Sequence, residues 1–465
     1  MAFEDVPMFE SVDELSTPGY IPELPGTKPP YGLEVLKPIE PDEYAVFTHN
    51  DALTTLWHAA IARTVSPWGV LGAALATTAA MVEPTVQTPP IIGGRGSLNL
   101  LVGLVARPGV GKGASVKVAQ EFLVGEQAEF SQKVDRLPLG SGQGIAQVFR
   151  PPSQEKKKKD EDAPPPTVRT RALFDAPEID KLAANSQQRG STLMPVLRNV
   201  FVGENPGNTN GSLETTRDVP DHSYRAALIC GIQPARSFAL LNEAERSGGT
   251  PQRFLWLPCE PYPLRERKAD ETLVKPARVQ LPIEFITPDV YEMKIPPQVW
   301  EHTREMHIRK IEGQAGDSLD NHRNFTQIKV ACLLAIMEGR SAMIDKDWEV
   351  SDIIMRRSDE TRQRCLNALE AVNAEKINKT AAREQQLKEA RENEALQNAK
   401  ELITKHLKAH GHLPLEGRDG LKQKARGTNR RYVEPALLEL IDDGHVESQQ
   451  PVEQYGAVMY YLPRQ

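Results

Sequence analysis

Four short apolar runs, separated by stretches with helical periodicity, organise the middle of the chain: LNLLVGLVA (98–106), RTRALFDA (169–176), RAALICGI (225–232) and RFLWLP (253–258). They read as central strands, and their alternation with amphipathic segments is the pattern of a parallel sheet with crossover helices. Upstream, residues 50–82 predict two helices. Asn50 or Asp51 caps the first, and Ser66-Pro67 supplies an N-cap and a first-turn proline for the second. The apolar stretch Val65 to Val82 is interrupted by Pro67 and Gly72, which suits a buried helix and not a membrane span of about 20 residues. After a β-like stretch near 279–296 the chain turns helical from Val299 to Leu369, with Phe325, Ile328, Cys332, Ala335 and Ile336 near one face.

These patterns divide the chain into an extended Pro-rich arm (1–42), a helical lead-in (43–97), an α/β core (98–296), a helical subdomain packed on it (297–371), a charged helical linker (372–397) and a small terminal domain (398–465). The arm suits docking on a neighbouring subunit. Within the core, RPPSQEKKKKDEDAPPPT (150–167) sets opposed charge blocks between prolines and reads as a solvated, disordered insertion. The terminal domain reads as three helices followed by two strands joined by a turn, the order of a winged helix.

At 465 residues, and about 150 per domain, two to four compact units are expected. The balance of 56 Lys and Arg against 63 Asp and Glu excludes a histone-like basic coat, so any nucleic-acid contact is local. The four cysteines lack CxxC spacing and sit among apolar residues, which fits buried thiols better than disulfides or a zinc site. Met1 to Glu10 carries acids and no basic lead, so no secretory signal is read and a cytoplasmic location is expected.

The sharpest chemical signal is ARPGVGKGAS, placed after an apolar strand and before a helical run. A phosphate-binding loop needs this setting: glycines let backbone amides converge on phosphate oxygens, the helix directs its positive end there, and a lysine offsets the β/γ charge. The predicted nucleotide contacts are Arg107, Pro108, Gly109, Val110, Gly111, Lys112, Gly113, Ala114 and Ser115, with Lys112 as the catalytic cation. The pattern departs from GxxxxGK[ST] at two points. Ala106 replaces the first glycine, and Gly113 replaces the hydroxyl that binds magnesium. Ser115 lies two residues on, about 200° around a helix, and cannot simply replace it.

Such a loop implies a second strand ending in a carboxylate, and RALFDAPEID supplies Asp175 for a metal ion and Glu178 to activate water. Gln233, after ICGI, is placed to sense a terminal phosphate. Arg253, behind Gly248-Gly249, is a candidate for reaching transition-state charge in a neighbouring subunit. The polar stretch 199–225 is a candidate DNA-contacting loop through Arg217, with Asn208, Thr209 and Asn210 beside it. In the terminal domain, Lys422, Lys424, Arg426, Arg430 and Arg431 concentrate positive charge where a recognition helix would begin.

The order lysine loop, FDAPE strand, GIQP strand end, GGTPQRFLWLP and HRNFTQIKVACLLAIMEGR with DW at 347–348 resembles the RecA-like helicase/ATPase domain of phage, prophage and plasmid replication proteins, over about residues 50–370. The resemblance implies a RecA-like P-loop core that hydrolyses ATP with Mg2+ in a ring, usually of six subunits, while moving along single-stranded DNA. It assigns Lys112 to phosphate, Asp175 to metal, Glu178 to water, Gln233 to sensing and Arg253 to the trans finger. No primase signature is present, so a primase partner would be a separate chain. Two alternatives remain: an ATP-gated DNA-binding initiator or helicase loader with little turnover, and a nucleotide kinase. The kinase fits less well, because its loop opens the chain and has Thr at the place of Ala114.

Overall fold

The computed structural model describes residues 40–125, 136–150, 168–187, 191–208, 218–314, 322–450 and 457–463. Most of the Pro-rich arm, residues 151–167 of the charged insertion, and the loop residues Thr209, Asn210 and Arg217 lie outside them. The chain forms two compact units, Met1–Glu370 and Ala371–Gln465.

The first unit is built on a five-stranded, all-parallel sheet. Its strands are β1 (Leu100–Val105), β2 (Arg136–Pro138), β3 (Arg171–Ala176), β4 (Arg225–Ile232) and β5 (Phe254–Pro258), in the spatial order β2-β3-β4-β1-β5. The four predicted runs make its four longest strands. The edge strand β2 has no counterpart in the sequence reading. Alternate side chains serve two cores. Leu100, Val102 and Leu104 join Leu173, Ile229 and Leu257 on one face, while Leu101 and Val105 join Phe174, Leu228 and Trp256 on the other.

The first face is covered by α1 (Pro41–Phe47), α2 (Asp51–Ala62), α3 (Pro67–Met81) and α4 (Lys112–Phe122), and by the helix Arg323–Met337. α3 is buried from Pro67 to Ala80; its run of Ala, Gly and Thr leaves no bulky stripe and lets neighbouring backbones approach on every side. The helix Arg323–Met337 is likewise buried at every position from Thr326 to Met337. This corrects the single-face expectation, since the helix runs inside the protein against α3 and not along its surface. Asn50 caps α2, accepting from the Leu53 amide at 2.9 Å. Ser66 does not cap α3; its hydroxyl donates to the Pro258 carbonyl at 3.1 Å and ties the start of α3 to the end of β5. All four cysteines are free and buried.

Two cations lie wholly inside this unit. Arg225, at the start of β4, donates to the carbonyls of Val82, Glu83 and Val86 and to the Ser97 hydroxyl. Lys329 donates to the carbonyls of Asn99, at 2.9 Å, and Phe201, and its ammonium lies 3.5 Å and 4.2 Å from the ring centroids of Phe201 and Phe325. Burial pushes the Arg225 guanidinium down to about 9 and holds Lys329 well below its usual range. Both therefore act as internal donors for carbonyls that end strands and helices.

In the second unit, a core of Ala399, Ile403, Leu407, Leu421, Val433, Leu437 and Leu440 is bounded by the end of the long helix Asp345–His410, the helices Leu421–Lys424 and Val433–Asp442, and an antiparallel sheet ordered Leu413–Pro414, Met459–Tyr461, Glu447–Gln449. The last of the three helices expected there is divided: a 3-10 segment, Gly427–Tyr432, precedes the α-helix Val433–Asp442. Residues 372–397 belong to the long helix. No helix among the described residues is long and apolar enough to cross a membrane.

Two outcomes follow from this packing. Arg225→Met removes the side-chain donor to the Val82 and Val86 carbonyls, while Glu83 keeps the Val86 amide, and at about 1–3 kcal/mol for each lost bond it should lower the unfolding free energy by at least about 2 kcal/mol in a denaturant titration. His322, packed edge-on against Phe201, is held down to about 3 by burial and by Arg253, Lys310 and Lys329. It is neutral when folded and gains a proton on unfolding, so stability should fall as pH drops from about 6.5 towards 3. Melting temperatures of His322→Gln should show a shallower fall between pH 7 and pH 5.

Candidate functional site

The strand order dictates where chemistry can gather. After β1 the chain crosses to the far edge at β2, returns through β3 and β4 to lie beside β1, then places β5 on the other side. Ligands of open parallel sheets bind beyond the carboxyl ends of the strands, where this order reverses. That point is the end of β1, and ARPGVGKGAS follows it.

The loop turns through Gly109 at φ 78° and Gly111 at φ 85°, left-handed positions that favour glycine. α4 then begins at Lys112 itself, which leaves the first amides of the helix, from Lys112 to Ala114, without an intrahelical acceptor at the mouth of the loop. Pro108, Gly109 and Val110 are exposed. Gly113 and Ala114 are exposed, whereas Ser115 is fully buried. The Ser115 hydroxyl packs between Cys259 and Gly69 of α3, so it is turned away from the loop.

Lys112 folds back over this turn. Its ammonium donates to the carbonyls of Ala106, at 2.8 Å, and Arg107, at 3.0 Å. Desolvation lowers its proton affinity, while Glu260 and Glu178 oppose that shift. Arg107 is clasped from the β5 side: its backbone amide and its guanidinium both donate to the carboxylate of Glu260.

The acid strand reaches the lysine by an indirect route, because β4 lies between β3 and β1. Asp175 is level with Ile229, while β4 continues to Ile232, which pairs with Val105. Beyond Asp175 the chain bends across the top of β4, and the Pro177 carbonyl lies 2.0 Å from where a Cβ on Gly231 would stand. The same Cβ position is 3.5 Å from Cε of Lys112. Gly231 thus lets Glu178, which is exposed, come into the field of the lysine. Gln233 follows directly on β4, half-buried, one residue beyond the Ile232 carbonyl that accepts from the Ala106 amide at 3.0 Å.

Asp175 is held by a residue that sequence reasoning missed. Arg136, on the edge strand β2, pairs with it at 2.7 Å. Arg136 is level with Leu173 and reaches two positions along the sheet towards the carboxyl edge. Nothing in VDRLPLG announces this, because β2 has only three residues and ends on a proline. Glu260 was missed for a related reason: the adjacency of β5 and β1 is a property of the sheet order.

Arg253 is not part of this cluster. It precedes β5, whose first residue pairs with Leu101, and so lies at the opposite end of the strand from the loop. Its guanidinium donates to the carbonyls of Gly248, at 3.2 Å, and Gly249, at 2.7 Å, and burial brings it down to about 10. A finger needs a projecting guanidinium, and this one is drawn inward.

In the second unit, the Lys422 ammonium is engaged by Glu416 and Glu434 at 2.8 Å and 2.7 Å, which offsets its charge. Arg426, Arg430 and Arg431 are exposed, and Lys424 is half-buried. Arg430 donates to the Lys422 carbonyl and Arg431 to the Tyr432 hydroxyl, each at 2.9 Å. Among the described residues no three His, Cys, Asp or Glu side chains cluster as a metal site.

No family model matches the chain, and no curated protein is similar to it.

Gly231→Ala tests the crossing. The new methyl group collides with the Pro177 backbone, and overpacking of this kind costs about 1–3 kcal/mol. The variant should unfold at lower denaturant concentration by that amount, whereas Gly113→Ala, with open space around it, should change stability by under about 1 kcal/mol.

Proposed function

We propose that the first unit is a RecA-like P-loop nucleoside triphosphatase, and that the whole chain is an ATP-driven, DNA-translocating enzyme of the replicative helicase type. The observation that carries this reading is the meeting of Lys112, Glu178 and Gln233 at the carboxyl edge of a parallel sheet, beside a glycine turn that opens a helix. A triphosphate in the turn would take the helix-start amides and draw the Lys112 ammonium from the Ala106 and Arg107 carbonyls to its own oxygens. Glu178, exposed beside that lysine, orients and deprotonates the attacking water. Gln233 donates to or accepts from the terminal phosphate.

The residues fit a magnesium ion bound in the usual economical way, by one carboxylate with the remaining positions taken by phosphate oxygens and water. Asp175 is that carboxylate, and the ion would spread the charge of the β- and γ-phosphates. Gly113 contributes no ligand.

The second unit supports a DNA role as a winged helix whose exposed Arg426, Arg430 and Arg431 contact phosphates. Single-stranded DNA, a ring of six copies and a separate primase complete the reading as expectations of the resemblance. The Asp175–Arg136 pair and Gly113 favour a second reading, an ATP-gated initiator or loader in which nucleotide drives assembly with little turnover.

Phosphate release assayed with and without single-stranded DNA separates them. A translocating enzyme shows DNA-stimulated turnover, reduced about 10²-fold or more in Glu178→Gln with MgATP binding retained, while Lys112→Ala loses binding itself. ATP-dependent assembly with negligible turnover selects the loader. Absence of both ATP binding and turnover refutes the nucleotide reading.

A further inference from the structure

The two neighbours of β1 give the loop a direction. On the β4 side stand Gln233 and, across Gly231, Glu178, and Cε of Lys112 lies 3.5 Å from where a Cβ on Gly231 would stand; these are the groups suited to the terminal phosphate. A nucleotide whose terminal phosphate lies there must extend its sugar and base towards the β5 side. The segment that leaves β5, residues 258–263, meets the loop on that side through Glu260, whose carboxylate clasps Arg107.

The same segment walls a groove of about 520 Å³. Pro258, Pro261, Tyr262 and Pro263 give it apolar surface, and Trp68 of α3 also lines it. Its polar rim is balanced: Arg267, Arg357 and Arg364 face Glu40, Glu43 and Glu360. Local pairing reinforces this, since Arg357 contacts Glu40 at 3.5 Å and Glu360 at 3.3 Å and covers the Trp68 ring at 5.1 Å. Arg364 donates to the Glu260 carbonyl at 2.9 Å, which links the groove wall to the residue that grips the loop. The Tyr262 hydroxyl is fixed by Glu43, so its ring is a rigid wall. A site of this size with flat faces and no net charge suits a neutral, planar group and not a further phosphate.

We infer that this groove receives the base and sugar of the nucleotide whose phosphates occupy the Lys112 loop, and that Tyr262 and the Arg357–Glu360 rim recognise the nucleoside. The inference rests on the nucleotide-binding reading and adds to it the part of the site that tells a nucleotide from bare phosphate.

Calorimetric titration of the full-length protein with MgATP and with magnesium tripolyphosphate tests it. Wild-type protein should bind ATP at least about tenfold more tightly than tripolyphosphate. Glu360→Trp, which fills the groove mouth, should weaken ATP at least about tenfold and leave tripolyphosphate within about twofold. Lys112→Ala should weaken both. Tyr262→Leu, which keeps bulk but removes the flat ring, should weaken ATP selectively as well, and serves if Glu360→Trp melts below the wild type. Equal wild-type affinity for the two ligands, or ATP affinity untouched in both groove variants, overturns the inference while the loop stands. Wild-type protein that binds neither ligand refutes the loop reading, and the groove with it.

Discussion

The Pro177 carbonyl occupies the space where any side chain on residue 231 would have to stand, and the site depends on that close approach. β4 separates the acid-bearing β3 from the loop-bearing β1. With neighbouring strands about 4.8 Å apart, an acid on β3 that stayed over its own strand would lie about 10 Å across from β1. Crossing above Gly231 brings Glu178 back towards Lys112, and leaves Asp175 on β3 in the reach of Arg136. One glycine therefore decides which carboxylate faces the lysine and which faces the arginine.

The unit uses positive charge in two physically different ways. Arg225 and Lys329 are wholly enclosed, donate mainly to backbone carbonyls, and hold together the amino-terminal side of the sheet with the turn after α3 and the helix Arg323–Met337. Lys112, Arg107 and Arg136 lie at the carboxyl side, partly exposed, on carbonyls or carboxylates that an anionic ligand can replace. The first set costs free energy to disturb and has no room to move. The second set has partners it can exchange. This division explains why Arg253, at the amino-terminal end of β5 and drawn onto the Gly248 and Gly249 carbonyls, behaves as part of the frame.

Much of the sheet was legible because its strands are buried on both faces and therefore continuously apolar; 98–106, 169–176, 225–232 and 253–258 needed no partner information to be recognised. The lysine turn was legible because glycine, lysine and helix start are local. What escaped depends on contacts between distant segments. β2 is too short to show a period, so Arg136 carried no signal. Ser66 had the local chemistry of a cap, yet the Pro258 carbonyl beyond β5 took its hydroxyl. The helix Arg323–Met337 looked one-sided because only Phe325, Ile328, Cys332, Ala335 and Ile336 stand out as an apolar face; polar Thr326, Gln327 and Lys329 are buried as well, each with an internal partner. The role of Gly231 could be read only once β4 was known to lie under the exit from β3.

The most direct measurement of the central claim is a structure of the protein crystallised with magnesium and a non-hydrolysable ATP analogue. The account predicts the triphosphate in the turn 107–114, Lys112 Nζ moved from the Ala106 and Arg107 carbonyls onto phosphate oxygens, and Glu178 facing the terminal phosphate from above Gly231. An analogue bound elsewhere, with Lys112 still on those two carbonyls at saturating nucleotide, would contradict it.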